Sequence, residues 1–215
     1  MNIVLAGPYP KGTLERFQSL LPNHHFTTIL TEAECIIVRV LKTSESVILH
    51  NPKLKAIIRW GAGYDSVDIE AAGKHGIMVA NTPGVNAYAV AELTIGLMIL
   101  LGRKVLGYYR NIQAGKWDRG TYSETSFSLN CKVVGIIGGG NIGRRVAALA
   151  QALGAKTQYY DVSRLPAEVE RQYHMTFVPL DQLLSSSDLI SIHVPLLGST
   201  RHIIGAEQLA VMKPS

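Results

Sequence analysis

Residues 133–143 read Val-Val-Gly-Ile-Ile-Gly-Gly-Gly-Asn-Ile-Gly, an apolar run that enters a G-x-G-x-x-G turn at Gly138, Gly140 and Gly143. Asp161 follows 18 positions after Gly143, behind Tyr159-Tyr160. Three glycines at this spacing also occur in ordinary turns, but the order strand, glycine turn, helix, strand, acid is that of a βαβ dinucleotide-binding unit. In such a unit Gly138 makes the tight turn, Gly140 lets backbone approach a pyrophosphate, and Gly143 lets the helix close on its strand. The phosphates rest on the helix N-terminus, which Asn141 and Ile142 open here. A carboxylate at Asp161 accepts hydrogen bonds from the adenine-ribose hydroxyls and repels a 2′-phosphate, so NAD is expected rather than NADP. Arg164 argues weakly the other way, because a cation there is able to bind phosphate; a solvated loop cation is the plainer reading.

The pattern around this unit is α/β. In the first hundred residues, 2–6, 35–40, 55–60 and 77–80 read as strands with helical stretches between most of them, which implies βαβ units and a parallel sheet. Apolar spacing of three and four over 86–109 predicts one long helix, and the Gly-, Ser- and Thr-rich 111–130 reads as a connector. A second block follows: strands at 132–137, 156–161, 175–178 and 189–194, helices at 141–153, 180–184 and from 206. A complete doubly wound domain has six strands, and four are legible here. The strand at 189–194 is apolar enough for a sheet interior, so its far edge is expected to associate with another chain unless something covers it.

Composition removes several function classes. The chain is 47% apolar and 17% charged with a net charge of +5, and its Lys and Arg are scattered without the basic run that nucleic acid needs. The longest greasy stretch, 93–101, is about half of the ~20 residues a membrane span requires. The N-terminus reads as a strand that reaches Pro8 before a signal sequence could form. Cys35 and Cys131 form no ligand or redox motif and read as reduced thiols of a cytoplasmic protein. None of the seven histidines has metal-ligand spacing, and no Gly-x-Ser-x-Gly elbow or Gly-Lys-Ser/Thr phosphate loop is present. Two further features remain as candidates. His193, in His-Val-Pro, ends the 189–194 strand at the sheet edge where ligands sit in open α/β folds; contact with a cofactor and a backbone-satisfied loop histidine are equally good readings. Gly61-Ala62-Gly63-Tyr64 follows a strand, and its N–H groups are able to cradle a carboxylate, although a tight turn is the better reading from spacing alone.

With these pieces in place, the chain resembles the D-isomer-specific 2-hydroxyacid dehydrogenase family. Four segments carry the resemblance: Arg59-Trp60-Gly61-Ala62-Gly63-Tyr64-Asp65-Ser66-Val67-Asp68; Val79-Ala80-Asn81-Thr82-Pro83-Gly84 with Ala89-Val90-Ala91-Glu92; residues 138–143; and Ser187-Asp188 through His193-Val194-Pro195 to Thr200-Arg201 and Met212-Lys213-Pro214. It covers nearly every residue from about Lys53 onward. The resemblance implies a flavodoxin-like substrate domain over 1–100 and an incomplete doubly wound (Rossmann) NAD-binding domain over 101–215. It implies that Gly61, Ala62, Gly63 and Tyr64 bind the carboxylate of a small 2-hydroxy or 2-keto acid. It also implies that Gly138, Gly140, Asn141, Ile142, Gly143, Asp161, His193, Val194 and Pro195 line the NAD site, and that the protein forms a homodimer on its dinucleotide domain.

In this family a late segment returns to the substrate domain, and the catalytic Arg, Glu and His lie beyond the Met-Lys-Pro run. No position up to Ser215 matches them. Three expectations follow: a dehydrogenase whose catalytic segment lies outside these residues, a truncated nucleotide-binding remnant without activity, and a regulatory module that uses the NAD fold to contact proteins.

Overall fold

The computed structural model describes residues 1–30 and 32–214. The chain divides into two compact units, Met1–Asn86 and Ala87–Ser215.

The first unit runs β1 (Asn2–Ala6), α1 (Thr13–Leu20), β2 (His25–Thr27), β3 (Cys35–Val38), α2 (Glu45–Leu49), β4 (Ala56–Arg59), α3 (Ile69–Lys74) and β5 (Met78–Asn81). Its five strands are parallel in the order β2-β1-β3-β4-β5, the flavodoxin-like winding. Because side chains alternate across a strand, Val4, Ala6, Ile36, Val38 and Ile57 face one layer with Val67, Ala71 and Ala72. Ile3, Leu5, Cys35 and Ile37 face the other layer with Phe26, Phe17 and Leu14. All four residues of β3 are buried, as expected of a central parallel strand covered on both sides. The second face opens into an apolar hollow of about 480 Å³ whose walls include Phe17, Phe26, Cys35, Ile37 and Trp60. Strand β2 escapes sequence reading because it has three residues and buries one, Phe26.

The second unit runs α4 (Ala87–Gly102), α5 (Val105–Gln113), β6 (Val133–Ile137), α6 (Asn141–Ala152), β7 (Lys156–Tyr160), α7 (Ala167–Tyr173), β8 (Thr176–Phe177), α8 (Leu180–Ser186), β9 (Leu189–Ile192) and α9 (Ala206–Ala210). Its parallel sheet has the order β8-β7-β6-β9, the first four strands of a doubly wound domain. Val134, Ile136, Val146, Ala147, Ala150 and Tyr159 form the centre of one core, joined by Ala91, Ile95 and Met98 of α4. The boundary expected near residue 100 falls inside α4, which gives Ala91, Ile95 and Met98 to this core, and the compact units divide at Asn86/Ala87.

The single helix expected over 86–109 is two helices. Gly102 O accepts the N–H of Phe127 at 2.8 Å, and the Phe127 ring lies where a Cβ on Gly102 would stand. The connector thus takes the carbonyl that continues a helix, and Lys104 turns into the left-handed region at φ 50°. Helix α7 was not expected; its markers are Pro166 at the N-cap and Glu168 and Glu170 in the first turn. Among the described residues no helix is long and apolar enough to cross a membrane.

Candidate functional site

The candidate residues fall into two groups, one in each unit. In the second unit β6 neighbours both β7 and β9, so the strand order reverses at its carboxyl end, where open α/β sheets bind ligands. The glycine turn lies there. Gly138 has φ +104°, and a Cβ on it would meet His193 O at 2.7 Å. A Cβ on Gly143 would stand 2.0 Å from Gly138 O, so this glycine is what lets α6 close on the turn. Gly140 differs from both: it is exposed, and a Cβ on it would meet nothing within 4 Å. The space above it is open to a ligand. Gly140 is the N-cap of α6 with no side chain capping the helix, so the N–H groups at Asn141 and Ile142 are offered to an anion.

The β7 end supplies the acid. Gly138 donates its N–H to Tyr160 O at 2.8 Å, and Gly139 donates its N–H to Asp161 Oδ2 at 2.8 Å. A carboxylate has acceptor capacity for several donors, so this bond orients Asp161 while leaving lone pairs for ribose hydroxyls. Gly139 was not among the sequence candidates, although its position between two fingerprint glycines placed it opposite the acid. Arg144 was also missed: its Nη2 donates to Asn141 Oδ1 at 3.0 Å and its Nε to Gly140 O at 3.3 Å, which sets a cation beside the anion-binding turn.

Strand β9 brings its own loop to the same place. His193 donates its N–H to Ile137 O at 2.7 Å, and Val194 Cγ1 lies 3.0 Å from where a Cβ on Gly138 would be. His193 Nε2 pairs with Ser191 Oγ at 2.8 Å, and burial pushes the imidazole below its usual range. Pro195 O accepts the Thr200 hydroxyl, which pins the His-Val-Pro turn.

The second group lies at the carboxyl end of the first unit's sheet. Gly61 has φ +136° two residues after the end of β4, and its N–H donates to Thr82 Oγ1 at 2.8 Å while Gly61 O accepts from Thr82 N–H. The Asn81 amide donates to Ala62 O at 2.7 Å. The turn is thus clamped by the end of β5. Of the expected carboxylate cradle, Gly61 has its N–H on Thr82 Oγ1, whereas the N–H groups of Ala62, Gly63 and Tyr64 have no hydrogen-bond partner among the described residues. Arg59, not singled out in the sequence, ends β4 with its guanidinium against Gly61, and its Nε is buried without a hydrogen-bond partner among the described residues. Arg39, immediately after β3, and Arg59 both act on the Tyr9 hydroxyl, which burial nonetheless pushes up to about 12. A cation at the end of a strand directly before a glycine turn was the available signal. Among the described residues no group of three His, Cys, Asp or Glu side chains is placed to hold a metal.

Residues 95–215 match the family model described as D-isomer specific 2-hydroxyacid dehydrogenase, NAD binding domain. The chain is 39% identical over 204 residues to a hydroxypyruvate reductase of Thermotoga maritima, covering 94% of this chain and 65% of that protein. It is 39% identical over 186 residues to a D-3-phosphoglycerate dehydrogenase of Methanocaldococcus jannaschii, covering 86% of this chain and 35% of the relative. Among solved structures, the D-lactate dehydrogenase of Aquifex aeolicus complexed with NAD and lactic acid superposes with a TM-score of 0.88 at 29% identity, over 99% of this chain and 66% of that one. The chain therefore spans two thirds or less of the length of these relatives.

Proposed function

The chain belongs to the D-isomer specific 2-hydroxyacid dehydrogenases, and on that basis we propose that the protein transfers a hydride between NAD(H) and a small 2-hydroxy or 2-keto acid. The observation that carries the proposal is the open Gly140 turn at the α6 N-terminus with Asp161 fixed beside it by Gly139. NAD supplies the hydride acceptor when it is bound. Asp161 accepts from the adenine-ribose hydroxyls and excludes a 2′-phosphate by charge. The N–H groups at 140–142, with Arg144 beside them, hold the pyrophosphate. Val194 and His193 line the loop that faces the turn. In the first unit the N–H groups of Ala62, Gly63 and Tyr64 hold the substrate carboxylate, and Arg59 adds positive charge.

The family's catalytic Arg, Glu and His have no match within residues 1–215, so the acid–base step belongs to a segment outside them. The apolar hollow against Phe17, Phe26 and Ile37 suits the segment that returns to the substrate domain in this family. We place the protein in the cytoplasm, a reducing setting in which two unpaired cysteines fit, and read it as a homodimer.

The test is an NADH titration of the purified protein with its intact mass recorded, followed by a screen of 2-keto acids. Saturable NADH binding is expected, with keto-acid-dependent loss of NADH wherever the mass exceeds the 23.4 kDa of these residues. Absence of NADH binding sinks the proposal.

A further inference from the structure

The loop after β7 carries an ion pair that the glycine turn itself does not need. Glu170 of α7 accepts the Tyr159 hydroxyl at 2.6 Å and both Nε and Nη2 of Arg164 at 2.9 Å each. The Glu170 side chain is 12% exposed and that of Arg164 is 64% exposed, so a surface cation has its fork turned inward. The guanidinium also lies over the Phe177 ring, 5.6 Å from its centroid. Leu165, next in sequence, donates its N–H to the Tyr159 oxygen at 2.9 Å, and its Cδ1 lies 2.9 Å from where a Cβ on Gly139 would stand. Arg164 is therefore held beside the nucleotide turn, three residues after Asp161, and it is the one cation in residues 161–170.

A guanidinium binds a phosphate through two parallel hydrogen bonds, and Arg164 lies three residues from the acid assigned to the ribose. Repulsion by Asp161 alone would leave such a cation free to compensate it. Pairing of Nε and Nη2 with Glu170 offsets the charge and takes one edge of the guanidinium, which leaves Nη1 and the second Nη2 N–H as its remaining donors. We infer that Glu170 is a specificity-determining positioning residue: by holding one edge of Arg164 and offsetting its charge it weakens capture of a 2′-phosphate, so discrimination against NADP rests on two carboxylates, Asp161 and Glu170. The inference rests on the reading of Asp161 as the ribose ligand.

The experiment titrates ADP-ribose and 2′-phospho-ADP-ribose into the full chain and into Asp161→Ser, Glu170→Gln, the double variant, and the double variant with Arg164→Ala. Glutamine keeps an oxygen for the Tyr159 hydroxyl and removes the charge that binds Arg164. The readout is the ratio of the two affinities, which a merely structural role of Glu170 leaves unchanged because it moves both probes together. The double variant is expected to shift the ratio toward the 2′-phosphate by about tenfold or more beyond the product of the single shifts, and Arg164→Ala to erase that excess. Independent single shifts, or an excess that survives Arg164→Ala, overturn the inference. Failure of the unaltered chain to bind ADP-ribose overturns the Asp161 reading and the inference with it, whereas ADP-ribose binding without coupling in the double variant overturns the inference alone.

Discussion

Gly139 and Asp161 are joined by a 2.8 Å hydrogen bond from backbone N–H to carboxylate Oδ2, which ties the turn after β6 to the end of β7. The glycine fingerprint and the distant acid are thus one unit before any nucleotide arrives. The bond fixes the direction of the carboxylate, so ribose hydroxyls meet an acceptor that is already placed, and less ordering remains to be done on binding.

That bond separates two substitutions at one position. Asp161→Ala leaves the buried Gly139 N–H without an acceptor, at a cost of roughly 1–3 kcal/mol in stability, and also removes the ribose ligand. Asp161→Asn keeps an oxygen for Gly139 and removes the charge. The alanine variant is expected to lower both Tm and NADH affinity, while the asparagine variant lowers affinity with little change in Tm. Calorimetric melting and an NADH titration check both; equal NADH affinity in all three proteins would show that Asp161 does not touch the ribose.

Glycines 140 and 143 are expected to fail in opposite ways. A methyl on Gly140 points into open space and a methyl on Gly143 runs into Gly138 O at 2.0 Å. Gly140→Ala should melt with the unaltered chain and lose nucleotide affinity, because the added group occupies the ligand's space. Gly143→Ala should lose stability first, by about 1–3 kcal/mol or more as overpacking does. A normal melting curve for Gly143→Ala contradicts the close approach of α6 to the turn.

Arg59 is predicted to favour substrates of higher negative charge. Its guanidinium sits against Gly61, and Arg39 lies near enough that both act on Tyr9. Arg59→Met keeps much of the stem and removes the charge. In the catalytically complete protein it should raise KM for a phosphorylated 2-hydroxy acid by about tenfold or more while changing KM for the unphosphorylated acid less. Equal changes for the two acids would show that Arg59 does not read the second anion.

The fingerprint was legible because G-x-G-x-x-G followed by an acid is a local pattern, and its context of strand and helix was equally local. The five-strand order of the first unit was less so, since β2 buries one side chain and leaves no alternation to read. Arg59, Arg144 and Glu170 share a different reason for having been missed. Each acts through a partner fixed only by folding: Arg59 against Gly61, Arg144 on Asn141, Glu170 on Tyr159 and Arg164. The break between α4 and α5 was hidden for the same reason, because the group that takes the Gly102 carbonyl is 25 residues away at Phe127.

Stability should fall on mild acidification through His193. Burial lowers the folded-state pKa of its imidazole below the unfolded value of 6.5, so the unfolded chain binds the proton first. The contribution of this group is fully present above 6.5 and is lost as pH falls through the window beneath it. Glu170 does not confuse the reading: held at about 2 by Arg164 and the Tyr159 hydroxyl, it loses its contribution only as pH falls below its unfolded value of 4.5. Tm measured across the weakly acidic range should drop less in His193→Gln than in the unaltered chain. Parallel curves would mean that His193 does not titrate differently on folding.

A polypeptide of residues 1–215 alone is predicted to meet its own copies at strand β9 at high concentration. Among the described residues β9 pairs with β6 along one side, leaving the other edge of Leu189–Ile192 without a partner strand. An unpaired edge offers a row of N–H and C=O groups to another strand, and Ile192, 49% exposed, adds apolar surface to it. Natural edges are commonly protected by lysine, so Ile192→Lys tests the edge without touching the core. Sedimentation velocity across a concentration series is expected to show self-association of the unaltered chain, weakened in the variant while its melting temperature stays the same. Association that is equal in the two proteins would place the contact elsewhere, and a chain that stays monomeric throughout would remove this edge as an interface.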